Sequence, residues 1–231
     1  MTNFNIQIIS DSVCPWCYVG YRRLSRAITI HKTSHPLDTF TLTWAPFYLN
    51  PHAPRYPGVD KRQYYETKFG ADRTDSILAR LSSVGAADGI AFKFGGRTGS
   101  TRDSHRLIWY AGEKEKENNI SNAKSGEDDV IGGIQTRVIE RLFRGYFEEE
   151  KNITDPAVLL EAGVAAGLGR EEVQSVLDSE IGLDQVEMEA TRARRQLVTG
   201  VPYYLVQGMY AIEGADEPET FLQVFERIKE A

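Results

Sequence analysis

The sequence has little cysteine and no excess of positive charge. Its 231 residues include only two cysteines, which lie three positions apart at Cys14 and Cys17. A framework of structural disulfides would spread its cysteines to close long loops, so this spacing excludes a disulfide-stapled fold. The formal net charge is −6, and no overall positive field would attract nucleic acid or an anionic membrane. We therefore expect neither as a partner.

Long apolar runs are also missing. No stretch reaches the roughly 18 consecutive apolar residues that a membrane-spanning helix needs. Residues 1–11 contain no basic region followed by an apolar stretch, so we expect no secretory signal. Hydrophobic residues make up 41% of the chain and charged residues 26%, which is typical of a globular protein. These features predict a soluble, cytoplasmic protein.

The N-terminal part alternates strand and helix patterns. Residues 4–10 place apolar side chains at every second position, as in a strand. Apolar residues then recur every three or four positions, which predicts a helix over residues 15–30 with Pro15 in its first turn. Alternating β-branched and aromatic residues predict a second strand over residues 39–47. The prolines of residues 48–58 predict a connecting loop.

Helical patterns dominate the middle of the chain, and strand patterns return near its end. Residues 90–94 predict a short extended piece, residues 95–100 a turn, and residues 201–213 a β-hairpin. The charged residues 113–129 have almost no apolar anchors and predict a solvated surface segment. Further helices are predicted over residues 61–69, 74–87, 102–116, 129–149, 156–166, 171–177, 182–197 and 217–231.

The two cysteines lie where the first strand is followed by a helix. In the motif Cys14-Pro15-Trp16-Cys17, a two-residue spacer at a helix start brings the sulfurs close together. A thiolate in the first turn is stabilised by unpaired backbone N–H groups and by the positive end of the helix dipole. Cys14 lies at this helix start, whereas Cys17 lies on the same face of the helix as its apolar residues. We therefore predict Cys14 as the attacking sulfur and the less exposed Cys17 as the resolving sulfur.

Two buried core thiols or half of a metal site would also explain a pair of cysteines. A structural zinc site needs about four ligands, and the chain has no second cysteine pair. Its histidines are not at ligand spacing from the motif. We therefore predict no metal site. The histidines are His31, His35, His52 and His105.

Two residues beside the cysteines have more than one interpretation. Trp16 either shields the pair and shapes the surface that contacts a substrate, or it packs as a structural aromatic residue. Asp11 either relays a proton or caps the turn before the helix through its side chain, and we favour capping.

Three segments carry a further signal. They are Val13-Cys14-Pro15-Trp16-Cys17-Tyr18, then Trp44-Ala45-Pro46-Phe47 with Leu49-Asn50-Pro51, and finally Gly200-Val201-Pro202-Tyr203. Together they resemble the DsbA superfamily, specifically its FrnE-like branch, and the resemblance covers nearly the whole chain. It implies an α/β fold of thioredoxin-like type, interrupted by a mostly helical insertion. The thioredoxin-like domain would comprise residues 1–59 and 194–231, and the insertion residues 60–193.

The resemblance also implies where a substrate binds. Val201 and Pro202 would form a loop that lies against the cysteines, has a cis peptide bond and pairs its backbone with a bound peptide. From the sequence alone a trans bond is the commoner state. Pro15 and Trp16 would contact the substrate beside this loop.

Four basic or polar positions are weaker candidates. Family members often carry an Asn-Thr-x-x-Ala-His stretch, and residues 100–105 depart from it at two positions. We therefore interpret His105 as a structural histidine. Arg192, Arg194 and Arg195 would suit an acidic substrate such as glutathione, but a solvated helix face is the commoner explanation.

The family resemblance implies thiol–disulfide exchange with protein or small-molecule thiols and disulfides, glutathione among them, and with no bound cofactor. The reduction potential of a cytosol lies between about −220 and −320 mV, and at that potential the two cysteines would be in the reduced dithiol form. This favours reduction or isomerisation of substrates over their oxidation. An alternative is a glutathione-dependent transferase or isomerase, similar to kappa-class transferases or 2-hydroxychromene-2-carboxylate isomerases, which typically carry serine at the position of Cys14. A third hypothesis is a peptide-binding module without redox turnover.

Overall fold

A computed structural model describes residues 1–117 and 131–230. The strands are β1 (Asn3–Ser10), β2 (Thr39–Pro46), β3 (Val59–Asp60), β4 (Arg97–Thr98), β5 (Tyr203–Val206) and β6 (Tyr210–Glu213). The helices are α1 (Pro15–Ser34), α2 (Lys61–Phe69), α3 (Ala71–Ala87), α4 (Arg102–Glu117), α5 (Ile134–Phe147), α6 (Pro156–Ala165), α7 (Arg170–Leu177), α8 (Leu183–Arg195) and α9 (Pro218–Glu230).

The main sheet has the strand order β2-β1-β5-β6. β1 pairs in parallel with β2, and α1 provides the crossover that a parallel pair requires. β5 pairs antiparallel with both β1 and β6, so the predicted hairpin is confirmed. Phe4, Ile6 and Ile8 of β1 are buried, because alternate side chains of a strand lie on one face. The strand β1 therefore leads directly to the two cysteines from the middle of the sheet.

One hydrophobic cluster joins this sheet to α1 and to the central helices. The rings of Tyr18 in α1 and Phe143 in α5 stack with their centroids 5.1 Å apart. Trp44 of β2 belongs to the same cluster, and its indole N–H donates to the Thr136 hydroxyl at 3.0 Å. The helices between β2 and β5 thus share a core with the sheet. The boundaries of the insertion, residues 60–193, stay a prediction.

The prediction was wrong at two short segments. Residues 90–94 form no strand, and β4 lies within residues 95–100, where a turn was predicted. The apolar alternation of residues 90–94 reflects burial instead: Phe92 packs on Phe147 with ring centroids 5.3 Å apart. The Lys93 N–H donates to the Phe147 carbonyl oxygen at 2.7 Å. Phe147 is the last residue of α5, so this hydrogen bond joins the segment to a helix end and not to a neighbouring β-strand.

The predicted surface segment of residues 113–129 is described only in part. Residues 113–117 are the last turn of α4, and residues 118–129 lie outside the described residues. Among the described helices, none combines the length and the apolar character needed to cross a membrane.

Candidate active site at the start of the first helix

The first helix begins directly after Cys14. Cys14 is its N-cap residue with extended backbone angles, φ −90° and ψ 112°, and Pro15 follows in the first turn. The N–H groups of Cys17 and Tyr18 donate to the Cys14 carbonyl oxygen at 3.1 and 3.4 Å. No described side chain caps this helix end. The positive end of the helix dipole is therefore left to act on the sulfur of Cys14.

The two cysteines differ in their surroundings. Cys14 is 3% exposed and Cys17 1%, so the expected order of exposure holds although both are buried. Burial raises the pKa of the Cys17 thiol well above its ordinary value, and a hydrogen bond with Cys14 raises it further. Cys14 lines a groove that Cys17 does not line. Access to the pair is thus through Cys14.

An apolar groove of about 360 Å³ opens beside Cys14. One wall consists of Pro15, Trp16 and Val201. A second wall comes from α2 and α3, and Lys68 adds one cation. This second wall was missed by the sequence analysis, although the apolar spacing within α2 and α3 was a usable signal. Its aromatic and aliphatic members are Tyr64, Tyr65, Phe69, Ile77, Leu78 and Leu81.

The loop before β5 lies against the first cysteine. The Val201–Pro202 peptide bond is cis, which confirms the prediction. The Cys14 thiol donates to the Val201 carbonyl oxygen at 3.5 Å. Val201 lines the groove with Pro15 and Trp16, whereas Pro202 is buried and does not line it. The role of these four residues in substrate binding stays a prediction.

Gly20 lets this loop approach α1. A methyl group at Gly20 would lie 2.3 Å from Tyr204 Oη and 3.1 Å from Pro202 Cγ, so a side chain has no room there. We expect Gly20→Ala to lower the free energy of unfolding by about 1–3 kcal/mol, because the loop and the helix must separate. Urea unfolding measures this loss. Gly145→Ala is the matched control, since its methyl group would meet only the Lys151 side chain, with Cδ at 3.5 Å and Cβ at 3.9 Å. A loss of equal size in both variants would contradict the contact.

Asp11 supports the turn that carries Cys14. Its backbone oxygen accepts from the Cys14 N–H at 3.0 Å, and its carboxylate accepts from the Val13 N–H at 3.4 Å. The carboxylate also accepts from the Leu49 N–H at 2.8 Å. The interpretation of Asp11 as a capping residue is therefore confirmed. The same carboxylate also holds the loop after β2 through its hydrogen bond with Leu49.

Two of the four weaker candidates contact the loop after β2. His105 Nε2 lies 3.6 Å from the Asp11 carboxylate and 3.2 Å from the Phe47 carbonyl oxygen, in line with a structural histidine. The Arg194 guanidinium donates to the Tyr48 carbonyl oxygen at 3.0 Å. Arg192 and Arg195 are exposed, as a solvated helix face predicts.

The chain is similar to a known protein family and to known structures. The family described as DSBA-like thioredoxin domain matches residues 5–124 and 127–226. The chain resembles the structure of a probable DsbA oxidoreductase from Streptomyces coelicolor, with 26% identity and a TM-score of 0.80 over 97% of this chain and 89% of that chain. No curated protein sequence gives a significant match.

Two further structures share the fold at low identity. The cytosolic disulfide reductase DsbM from Pseudomonas aeruginosa, solved with GSH, has 14% identity and a TM-score of 0.56 over 98% of this chain and 100% of that chain. A 2-hydroxychromene-2-carboxylate isomerase has 14% identity and a TM-score of 0.61 over 97% of this chain and 95% of that chain. The thioredoxin-like α/β fold with a helical insertion is thus confirmed, and the chain belongs to the family of DSBA-like thioredoxin domains.

Proposed function

We propose that the protein is a thiol–disulfide oxidoreductase or isomerase that acts through its C-P-W-C dithiol. One observation carries the proposal. Cys14 is at the N-terminus of α1 and faces an apolar groove, while Cys17 is hydrogen-bonded to Cys14 and does not line that groove. This is the arrangement that a nucleophile with a protected resolving thiol requires.

In the proposed reaction, the Cys14 thiolate attacks one sulfur of a substrate disulfide. A bond forms between Cys14 and that sulfur, and the other substrate sulfur leaves as a thiolate and takes up a proton. Cys17 then attacks Cys14, releases the first substrate sulfur as a second thiolate and closes the Cys14–Cys17 disulfide. The substrate gains the two electrons that the dithiol loses, and the reverse sequence oxidises a substrate dithiol.

The surroundings of Cys17 support this order of events. Burial keeps the pKa of the Cys17 thiol high, and negative charge on Cys14 raises it further. Formation of the mixed disulfide removes the charge of Cys14. Cys17 therefore loses its proton more readily once a substrate is bound to Cys14, which couples resolution to the first attack.

We also propose which partners the site accepts. The groove that borders Cys14 is lined mainly by apolar side chains of the chain's N-terminal part, the loop at Val201, and α2 and α3. It suits thiols and disulfides of proteins or small molecules, glutathione included, and the reaction needs no bound cofactor. The insertion of residues 60–193 would provide the wall from α2 and α3. We further propose that the protein belongs to the FrnE-like branch of the family. We also propose that it is cytoplasmic, as is the cytosolic reductase DsbM, which has the same fold.

A trapping experiment tests the proposal. We expect Cys17→Ser protein to form a stable adduct with one glutathione per chain when it is treated with oxidised glutathione, because the resolving thiol is gone. Mass spectrometry of the intact protein measures the adduct. Cys14→Ser is the matched control and should form almost none, since its remaining sulfur is buried and lies off the groove. If the Cys17→Ser protein formed no adduct with glutathione or with a disulfide-bonded peptide, a peptide-binding module without redox turnover would be the better explanation.

A further inference from the structure

A cluster of two histidines and a glutamate lies at the other end of α1. His31 belongs to its last turns, His35 is its C-cap residue, and Glu226 projects from α9. His31 Nδ1 lies 3.7 Å and His35 Nδ1 4.0 Å from Glu226 Oε1. One ligand atom from each residue lies within 4.8 Å of the others. At a rise of about 1.5 Å per residue, the cluster is roughly 25 Å from Cys14 along the helix.

The hydrogen bonds of His31 leave one of its ring nitrogens without a partner. His31 Nε2 lies 2.9 Å from Asp38 Oδ2, and the Asp38 carboxylate also accepts from the Thr2 N–H at 2.7 Å and from Lys229 Nζ at 2.5 Å. Because this carboxylate is an acceptor, Nε2 of His31 donates to it, and in the tautomer with its proton on Nε2 the Nδ1 atom offers a lone pair.

The Nδ1 atoms of His31 and His35 are both buried and have no hydrogen-bond partner among the described residues. The His31 side chain is 0% exposed, so water does not reach its Nδ1. The two imidazole rings are stacked with centroids 4.5 Å apart, which places their nitrogens beside the same carboxylate. Buried polar atoms without partners are rare in folded proteins, and an unseen ion is one of the accepted reasons for them.

We propose that His31 Nδ1, His35 Nδ1 and the Glu226 carboxylate bind a divalent transition-metal ion of the Zn²⁺ type. Two imidazoles and a carboxylate are an established ligand set for zinc, with water in the fourth position. A metal-binding histidine usually donates its other N–H to a carboxylate, and Asp38 has that place beside His31. The proposal departs from our expectation of a chain without a metal site.

Metal binding requires the three ligand atoms to move closer together. Zinc–ligand bonds of about 2.0–2.1 Å put tetrahedral ligand atoms roughly 3.3 Å apart. The two nitrogens lie 3.7 and 4.0 Å from Glu226 Oε1, and all three ligand atoms lie within 4.8 Å of one another. The Glu226 side chain is 53% exposed and His35 31%, so both can move by this amount while His31 stays in place. The bound ion would fasten the end of α1 to α9, away from the thiols.

Zinc titration tests the site. The parent protein should be the Cys14→Ser/Cys17→Ser double variant, so that Zn²⁺ cannot bind to thiolates. We expect one Zn²⁺ per chain by calorimetry, and a rise in Tm of about 5 °C at a free zinc concentration of 100 times Kd. Glu226→Gln and His35→Ala should each weaken zinc binding at least about tenfold.

Matched controls separate this site from adventitious binding. His52→Ala removes an exposed histidine, and Glu219→Gln removes an exposed carboxylate of α9, so both should bind zinc as the parent does. The proposal is overturned if the parent binds no zinc, or if His35→Ala and Glu226→Gln bind it as tightly as the parent.

Discussion

Cys14→Ser should lower the turnover of a disulfide substrate by at least about a thousandfold, because it removes the atom that forms the covalent intermediate. Serine is close to cysteine in size and Cys14 is 3% exposed, so we expect the variant to fold. Reduction of a disulfide-bonded peptide at a fixed thiol concentration measures turnover, and thermal unfolding verifies the fold. Cys17→Ser is the control that keeps the first step: it should lose multiple turnover but still react once with the disulfide.

The same variant distinguishes the two enzyme hypotheses. A glutathione-dependent isomerase or transferase of this fold would activate glutathione without a second protein sulfur. If Cys14→Ser retained full activity on a glutathione conjugate and the wild type showed no disulfide turnover, the transferase or isomerase hypothesis would replace ours. Activity that depends on both cysteines would support thiol–disulfide exchange.

A buried lysine beside the groove should make the stability of the protein depend on pH. Lys61, the first residue of α2, is 0% exposed. Its Nζ donates to the Tyr146 carbonyl oxygen at 2.6 Å and lies 3.7 Å from the centroid of the Tyr146 ring. Burial lowers the pKa of Lys61 to about 8, and the charge of Glu150 offsets part of that effect. Since Tyr146 lines the groove, this lysine lies directly beside the candidate site.

Wild-type protein should therefore gain stability over Lys61→Met as the pH rises. In the unfolded chain Lys61 keeps its proton up to its ordinary pKa of 10.5, whereas in the folded protein it loses the proton near pH 8. Between these values the unfolded state binds more protons, so a rise in pH favours folding. From pH 7 to pH 9.5 the difference in unfolding free energy between wild type and Lys61→Met should shift by about 2 kcal/mol toward wild type.

Urea unfolding of both proteins at the two pH values measures this shift, and contributions shared by both chains cancel in the difference. Lys68→Met is the matched control, because Lys68 is an exposed lysine of the same helix. Its difference from wild type should not change in the same way. If the Lys61→Met difference were the same at pH 7 and pH 9.5, Lys61 would keep its proton inside the folded protein, and the burial argument would be wrong.

The sequence by itself determined most of the helices and strands and the position of the cysteine pair at the start of a helix. Three local patterns predicted these features: the alternation in β1, the proline after Cys14 and the apolar spacing of α1. Each pattern involves residues only a few positions apart, so it can be recognised in the sequence. The position of Cys14 at a helix start follows from these local preferences. The loop of Val201 and Pro202 was recognised only through its family resemblance, because nothing local indicates which distant residue it will contact.

Only the tertiary structure decided what surrounds these elements. The wall of α2 and α3 beside Cys14, the contact of Val201 with that sulfur and the approach of Glu226 to His31 join residues far apart in the sequence. The apolar alternation of residues 90–94 likewise turned out to serve packing on Phe147 rather than strand pairing. The reason is physical: backbone preference acts between neighbours along the chain, whereas a groove, a buried lysine or a histidine cluster depends on how helices and sheet pack.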